Sequence, residues 1–230
     1  MSIVKNQLIE SLPRKEQARL LGDCELVQLV LQDVLCEPGQ VAKYAYFPTE
    51  SFISLITAVD GKPVLEVGMV GREGLLGAEL AMGVGVSPLH AVVQGAGGAW
   101  RLGARQFRAE LKRSAPLQQC IDRYLYVVMG QLATSAGCLR FHNITQRMAR
   151  WLLMTQDRAL KDQFRVTHEF LAFMLGVRRV GITNTASELQ RRGLIQYRRG
   201  ELTVLDRPGL EAAACSCYEV DRRTYAALLH

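Results

Sequence analysis

A chain of 230 residues, 49% of them hydrophobic, has room for one large domain or two modest ones that each bury a core. Its formal net charge of +6 favours polyanionic partners. The opening run MSIVKNQLIESLP lacks the apolar core of a secretion signal, and no stretch of about 18–20 apolar residues is both uncharged and free of breakers. A cytoplasmic protein with no membrane partner is therefore expected.

Lys5 to Leu35 reads as helices, with Leu8, Ile9 and Leu12 on one face before Pro13, then Leu20 and Leu21. From about Cys36 to Leu102 the chain changes character. Turn signals recur at Glu37-Pro38-Gly39, Asp60-Gly61-Lys62-Pro63, Gly71-Arg72-Glu73-Gly74 and Ser87-Pro88. Between them, Phe52 to Ile56, Val64 to Val70 and His90 to Gln94 read as short strands. Short strands at close spacing predict an all-β sandwich or barrel. The uncharged run from Leu80 to Trp100 is broken by Gly83, Gly85, Pro88, Gly95, Gly97 and Gly98, which suits strands and turns rather than a membrane helix.

After Pro116, Leu117, Ile121, Tyr124, Val128, Leu132, Ser135 and Leu139 step by three or four residues, close to a heptad seam flanked by Leu125 and Met129. One stripe of this long helix needs a partner, either the β-rich region of its own chain or a parallel helix across a two-fold axis. From Phe141 to Gln163 a second helical run places Met148, Trp151 and Leu152 on an apolar face, with Arg147 and Arg150 as candidate phosphate contacts.

Thr167 to Leu205 carries the most information. Thr167 caps a helix whose apolar face is Phe170, Leu171, Met174 and Leu175, although Phe170 leaves the capping box incomplete. Gly176 supplies a turn, and Ile182, Ala186 and Leu189 form the inward stripe of a second helix. Arg178, Arg179, Thr183, Asn184 and Ser187 are left facing outward. Arg191-Arg192-Gly193 ends that helix, and two alternating strands flank Arg198-Arg199-Gly200-Glu201, a hairpin with a basic tip. This order of parts is a winged helix-turn-helix. Arg207-Pro208-Gly209-Leu210 then opens a last helix, continuing through Tyr218 and Tyr225.

Charge supports a nucleic-acid reading. Residues 1–139 balance 13 Lys and Arg against 13 Asp and Glu, whereas residues 140–230 hold 15 against 9. Between Arg165 and Gly200 seven arginines meet only Glu169 and Glu188. A solvated helix face usually mixes signs, and a one-sided arginine excess is the footprint of phosphate binding.

The run GVRRVGITNTASELQRRGLIQY, followed by RRGELTVLDRPGLEAAACSCY, resembles the Crp/Fnr family of bacterial transcription regulators, strongly from about Ile144 onward and loosely before it. The resemblance implies an α+β fold. Residues 1–115 would form a jelly-roll-like, double-stranded β-helix resembling a cyclic-nucleotide-binding domain. Residues 116–140 would form a dimerisation helix, and 141–230 a winged helix-turn-helix. It implies that Arg179 reads guanine. Val180 and Asn184 stand where the cyclic-AMP receptor has a glutamate and an arginine, so they suit a thymine methyl and an adenine instead. Arg198 and Arg199 are expected on phosphates. The partners implied are a pseudo-palindromic DNA duplex, a second copy of the chain through Ile121, Tyr124, Val128, Leu132 and Leu139, and RNA polymerase as a further candidate.

For the effector pocket the resemblance points to Gly74, Gly77, Glu79 and Ser87, with Thr134 and Ser135 reaching in from the long helix. Ala78 stands where the family's ribose-binding glutamate would be, and no Lys or Arg occurs from Glu73 through Ala99. A buried phosphate without a cation pays a desolvation cost that backbone N–H groups only partly offset. The pocket therefore reads as degenerate, with cyclic AMP disfavoured and the effector unknown or lacking. His90, a lone strand histidine, reads as structural.

No cofactor and no metal ligand is expected. Cys24, Cys36, Cys120, Cys138, Cys215 and Cys217 include no Cys-x-x-Cys pair, and His90, His142, His168 and His230 are dispersed. Reduced cytosolic thiols are expected, with Cys215 and Cys217 flagged as candidate redox sensors. Without a nucleophile elbow or a phosphate-binding Walker loop, an enzyme is not expected. The alternative to a DNA regulator is a ligand-binding or adaptor protein whose C-terminal module contacts another protein.

Overall fold

The computed structural model describes residues 6–60 and 62–229, so Lys5, Gly61 and His230 lie outside the described residues. The chain opens with α1 (Gln7–Glu10), capped by Asn6, and α2 (Arg14–Asp23). Helix was expected to run on to Leu35. Instead β1 (Glu25–Leu29) and β2 (Val34–Cys36) follow, joined by a turn in which Gln32 takes φ 72°. Backbone pairing explains the difference, since β1 aligns antiparallel with the strand at residues 97–103 and fills that sheet's edge.

The remaining strands are β3 (Tyr44–Pro48), β4 (Phe52–Val59), β5 (Lys62–Val70), β6 (His90–Gly95) and β7 (Gly97–Gly103). They form one sheet in the order β1-β7-β3 and another in the order β2-β6-β4-β5. Leu29, Tyr46, Ile53, Val70, Ala91, Val93 and Ala99 from the two sheets share one apolar cluster. This is the expected β-roll, with the strands at 52–56, 64–70 and 90–94 in place.

After α3 (Ala104–Arg113) comes α4 (Ala115–Phe141), 27 residues and about 40 Å long. Ser114 caps it by accepting from the Leu117 N–H at 3.2 Å. Its first half belongs to the β-roll core. Leu117, Ile121, Tyr124 and Val127 are buried there with Phe47, Leu75 and Phe107. Two of the residues expected at a dimer interface, Ile121 and Tyr124, are thus enclosed by their own chain, and Val128 packs on the same cluster. The exposed apolar residues are Tyr126, Met129, Leu132, Leu139 and Phe141. The sequence seam had merged two faces, because a helix buried on one side and bare on the other carries two apolar stripes.

The C-terminal part comprises α5 (Ile144–Ala159), β8 (Gln163–Arg165), α6 (His168–Leu175), α7 (Arg179–Arg191), β9 (Ile195–Arg198) and β10 (Glu201–Val204). Asn143 and Gln146 complete a reciprocal capping box at the start of α5. The wing sheet has three strands in the order β8-β10-β9, and β8 had no clear sequence signal. Met148, Leu152, Leu171, Ile182, Leu189 and Leu202 form its core. Ile56 of β4 and Met69 of β5 join the same cluster, so this part packs directly on the four-stranded sheet. The expected single last helix is two, α8 (Arg207–Ala213) and α9 (Cys217–Leu229), broken where Ala214 turns to extended backbone. No helix among the described residues is long and apolar enough to cross a membrane.

Candidate nucleic-acid interface

The reading helix α7 is placed by the turn before it. Thr167 caps α6 by accepting from the Phe170 N–H at 3.1 Å, and Gly176 ends α6 in the left-handed region at φ 61°. Gly181 lets α7 approach α5, since a Cβ there would meet the Ile144 side chain at 3.1 Å. Ile182, Ala186 and Leu189 are buried as expected, and Thr185 is buried with them.

On the opposite side, Arg178, Arg179, Val180, Thr183, Asn184 and Ser187 are all exposed. Arg178 is the N-cap, so the helix proper opens one residue later, at Arg179. Arg179, Val180, Thr183, Asn184 and Ser187 recur at helical spacing and share one face. Thr183 Oγ1 donates to the Arg179 carbonyl at 3.2 Å and Ser187 Oγ to the Thr183 carbonyl at 2.9 Å. Both hydroxyls therefore offer acceptors outward, while Arg178, Arg179 and Asn184 offer donors.

Side chains from neighbouring elements fix the face. His168 Nδ1 lies 3.1 Å from Thr183 Oγ1, and its ring stacks on Tyr197 at 4.5 Å between centroids. Burial, then the Arg179 charge, holds His168 below its ordinary pKa. Tyr197 donates its hydroxyl proton to the Val166 carbonyl at 2.8 Å and its backbone N–H to Gln190 Oε1 at 2.7 Å, which ties β9 to α7 and to the segment leading into α6. At the wing tip Arg199 (φ 53°) and Gly200 (φ 82°) are both left-handed, a type I′ turn that projects Arg198 and Arg199 into solvent.

Arg147 and Arg150 of α5 do not join this surface. Arg150 pairs with Asp221 at 2.7 Å and Arg147 donates to the Leu175 carbonyl, so both are structural rather than phosphate contacts.

The six residues assigned to an effector pocket do not gather round one cavity. Gly77 and Glu79 line a 150 Å³ cleft with Tyr44 and Tyr46, smaller than the roughly 300 Å³ at which ligand pockets usually begin. Lys43 is the cation on that lining, and it is exposed. Gly74 is covered by Tyr124, whose hydroxyl donates to the Leu75 carbonyl at 3.1 Å; a Cβ on Gly74 would lie 2.7 Å from the Tyr124 hydroxyl oxygen. Ser87 closes its own loop on Leu89. Ser135 faces a separate cleft with Gly68 and Trp151, and Thr134 is half-buried. His90 Nδ1 sits 2.7 Å from Glu37, a structural contact.

Residues 146–213 match the Crp-like helix-turn-helix domain. Solved structures share the whole architecture. A Crp/Fnr-family regulator from Eubacterium rectale superposes with a TM-score of 0.69 at 16% identity, over 90% of this chain and 96% of the other. A Crp/Fnr regulator from Thermus thermophilus gives 0.68 at 23%, over 83% and 98%. The c-di-GMP-responsive global regulator of Xanthomonas campestris gives 0.67 at 19%, over 84% and 99%. No curated protein matches the sequence. Residues 146–213 therefore form a Crp-like helix-turn-helix domain, and the chain as a whole has the fold of these regulators.

Proposed function

We propose that the protein acts in the cytoplasm as a homodimer that reads a pseudo-palindromic operator and does not respond to cyclic AMP. One observation carries the reading: the six outward positions of α7 are all exposed beside a basic, exposed wing tip. Arg179 takes the guanine O6/N7 edge, Asn184 an adenine, and Val180 a thymine methyl. Arg198 and Arg199 contact phosphates. A second α7, roughly 34 Å away across a two-fold axis, completes the operator. The bare stripe of Met129, Leu132 and Leu139 on α4 supports the pairing, because apolar side chains in that number are costly in water. RNA polymerase is the partner that would convert operator occupancy into transcriptional control.

The β-roll supports a degenerate pocket. The cleft beside Gly77 is small, and Tyr124 occupies the space over Gly74. Selection of bound sites from random duplexes tests the whole reading. A two-fold symmetric consensus is expected, with affinity falling steeply as salt rises. Failure to enrich any sequence, with no salt-dependent binding, would leave the adaptor reading in its place.

A further inference from the structure

Four chemistry-bearing side chains that lie far apart in sequence meet where α4 ends. Cys138 is in the last turn of α4, and His142 caps that helix, donating its backbone N–H to the Cys138 carbonyl at 3.1 Å. The four-residue spacing sets both side chains on one face. Cys215 and Cys217 come from the break between α8 and α9.

Their ligand atoms converge. Cys138 Sγ is 3.5 Å from Cys215 Sγ, and Cys217 Sγ is 3.6 Å from His142 Nδ1. All four ligand atoms lie within 4.8 Å of one another. A tetrahedral ion with bonds of about 2.3 Å to sulfur and 2.0–2.1 Å to nitrogen needs edges of roughly 3.5–3.8 Å.

Ordinary packing does not explain the cluster. A buried cysteine acting as a small hydrophobe joins the nearest core, as Cys120 does beside Leu8 and Ile121. Cys138, Cys215 and Cys217 instead form a cluster of their own, separate from both main cores. A Cys138–Cys215 disulfide would leave the convergence of His142 and Cys217 unexplained. An iron–sulfur cluster interposes its own atoms and would spread the four groups apart.

The charge balance also fits. Three thiolates and a divalent ion leave one excess negative charge. Arg147 and Arg150 both interact electrostatically with the cysteines, and Arg150 is itself held by Asp221 and Ser135. That is the arrangement expected around a thiolate-rich metal site.

We propose that Cys138, His142, Cys215 and Cys217 form a closed structural zinc site that pins the α8–α9 junction to the hinge between α4 and α5. With four protein ligands it has no open position, so it is a staple rather than a catalytic centre. On binding, each coordinating thiol gives its proton to solvent, and no electron is transferred. The site replaces the sequence expectation of no metal ligand, and it stands apart from how DNA is read.

The test is metal analysis of the full chain purified reduced from zinc-replete medium. About one zinc per chain is expected, and cobalt(II) in its place should give the intense visible bands of a tetrahedral thiolate site. Cys138→Ser and Cys217→Ser should each weaken metal retention at least tenfold or so, and Cys120→Ser should keep it. Should either ligand variant fail to fold, His142→Cys, which exchanges one ligand for another and keeps four, is expected to stay folded and to retain zinc. Zinc below about a tenth of an equivalent with the thiols free, and no cobalt spectrum, would overturn the proposal. So would a Cys138–Cys215 disulfide in reduced preparations, or stoichiometric iron with acid-labile sulfide.

Discussion

Trp151 donates its indole N–H to the Glu66 carboxyl at 2.8 Å, from α5 of the DNA-reading part to β5 of the β-roll. Nearby, Arg158 pairs with Glu73 at 2.7 Å across the same boundary, with both side chains largely buried. Ser54, with one O–H, faces both Glu66 Oε2 at 2.5 Å and Gln94 Oε1. A proton on Glu66 satisfies all three groups, because Glu66 then donates to Ser54 and Ser54 to Gln94. Burial, opposed by those hydrogen bonds, raises the Glu66 pKa from 4.5 to about 7.

The domain contact should therefore weaken with rising pH. A carboxyl that binds its proton more tightly when folded adds stability fully below pH 4.5, and that stability is lost as pH rises through about 7. The loss is up to about 3 kcal/mol, reduced by the part of Glu66 that solvent reaches. Denaturant titrations at pH 5 and pH 8 should show this difference in the native protein and little of it in Glu66→Gln. Equal slopes in the two proteins would refute the assignment.

Base reading and phosphate binding should separate by mutation. Arg179→Ala is expected to cost roughly 1–3 kcal/mol at the selected operator and to relax preference at one base pair per half-site. Arg198→Ala and Arg199→Ala should weaken all sequences alike and lower the salt slope by about one each. Competition binding over a salt series distinguishes the two behaviours.

The two faces of α4 make opposite predictions. Leu132→Glu places a charge on the bare stripe and should shift sedimentation from dimer to monomer while leaving the melting temperature of the monomer nearly unchanged. Ile121→Glu buries a charge inside the β-roll and should cost several kcal/mol, enough to unfold many domains of this size. If Leu132→Glu stays dimeric, the pairing surface lies elsewhere.

Calorimetry should detect no binding of cyclic AMP. A micromolar isotherm would show that the space over Gly74 opens by moving Tyr124. Gly74→Ala tests the same packing from the other side. Its methyl meets the Tyr124 hydroxyl, so a loss of about 1–3 kcal/mol is expected.

The reading helix was legible because its signals are local. Thr167, Gly176 and the Ile182, Ala186, Leu189 stripe each act within a turn or two, and the arginine excess needs no fold to be counted. What was not legible depends on distant partners. Residues 25–35 read as helix because their strand character appears only on pairing, Glu25–Leu29 with residues 97–103 and Val34–Cys36 with residues 90–95. Ile121 and Tyr124 were placed at a dimer interface because periodicity reports that a face is apolar, not whose atoms cover it. Similarly, Cys138 and His142 sit more than seventy residues before Cys215 and Cys217, with no spacing motif to link them.

Leu229 is buried in the β-roll core, with Tyr225 and Leu228 packed against the same cluster, so the last helix completes the first domain. During synthesis the strands of the β-roll are made first, and the helix that walls their core follows only after the whole DNA-reading part. The β-roll cannot reach its final packing until α9 has been made, and the DNA-reading part already exists when it does. A molecule cut before α9 would lose the β-roll's integrity before it lost the reader's.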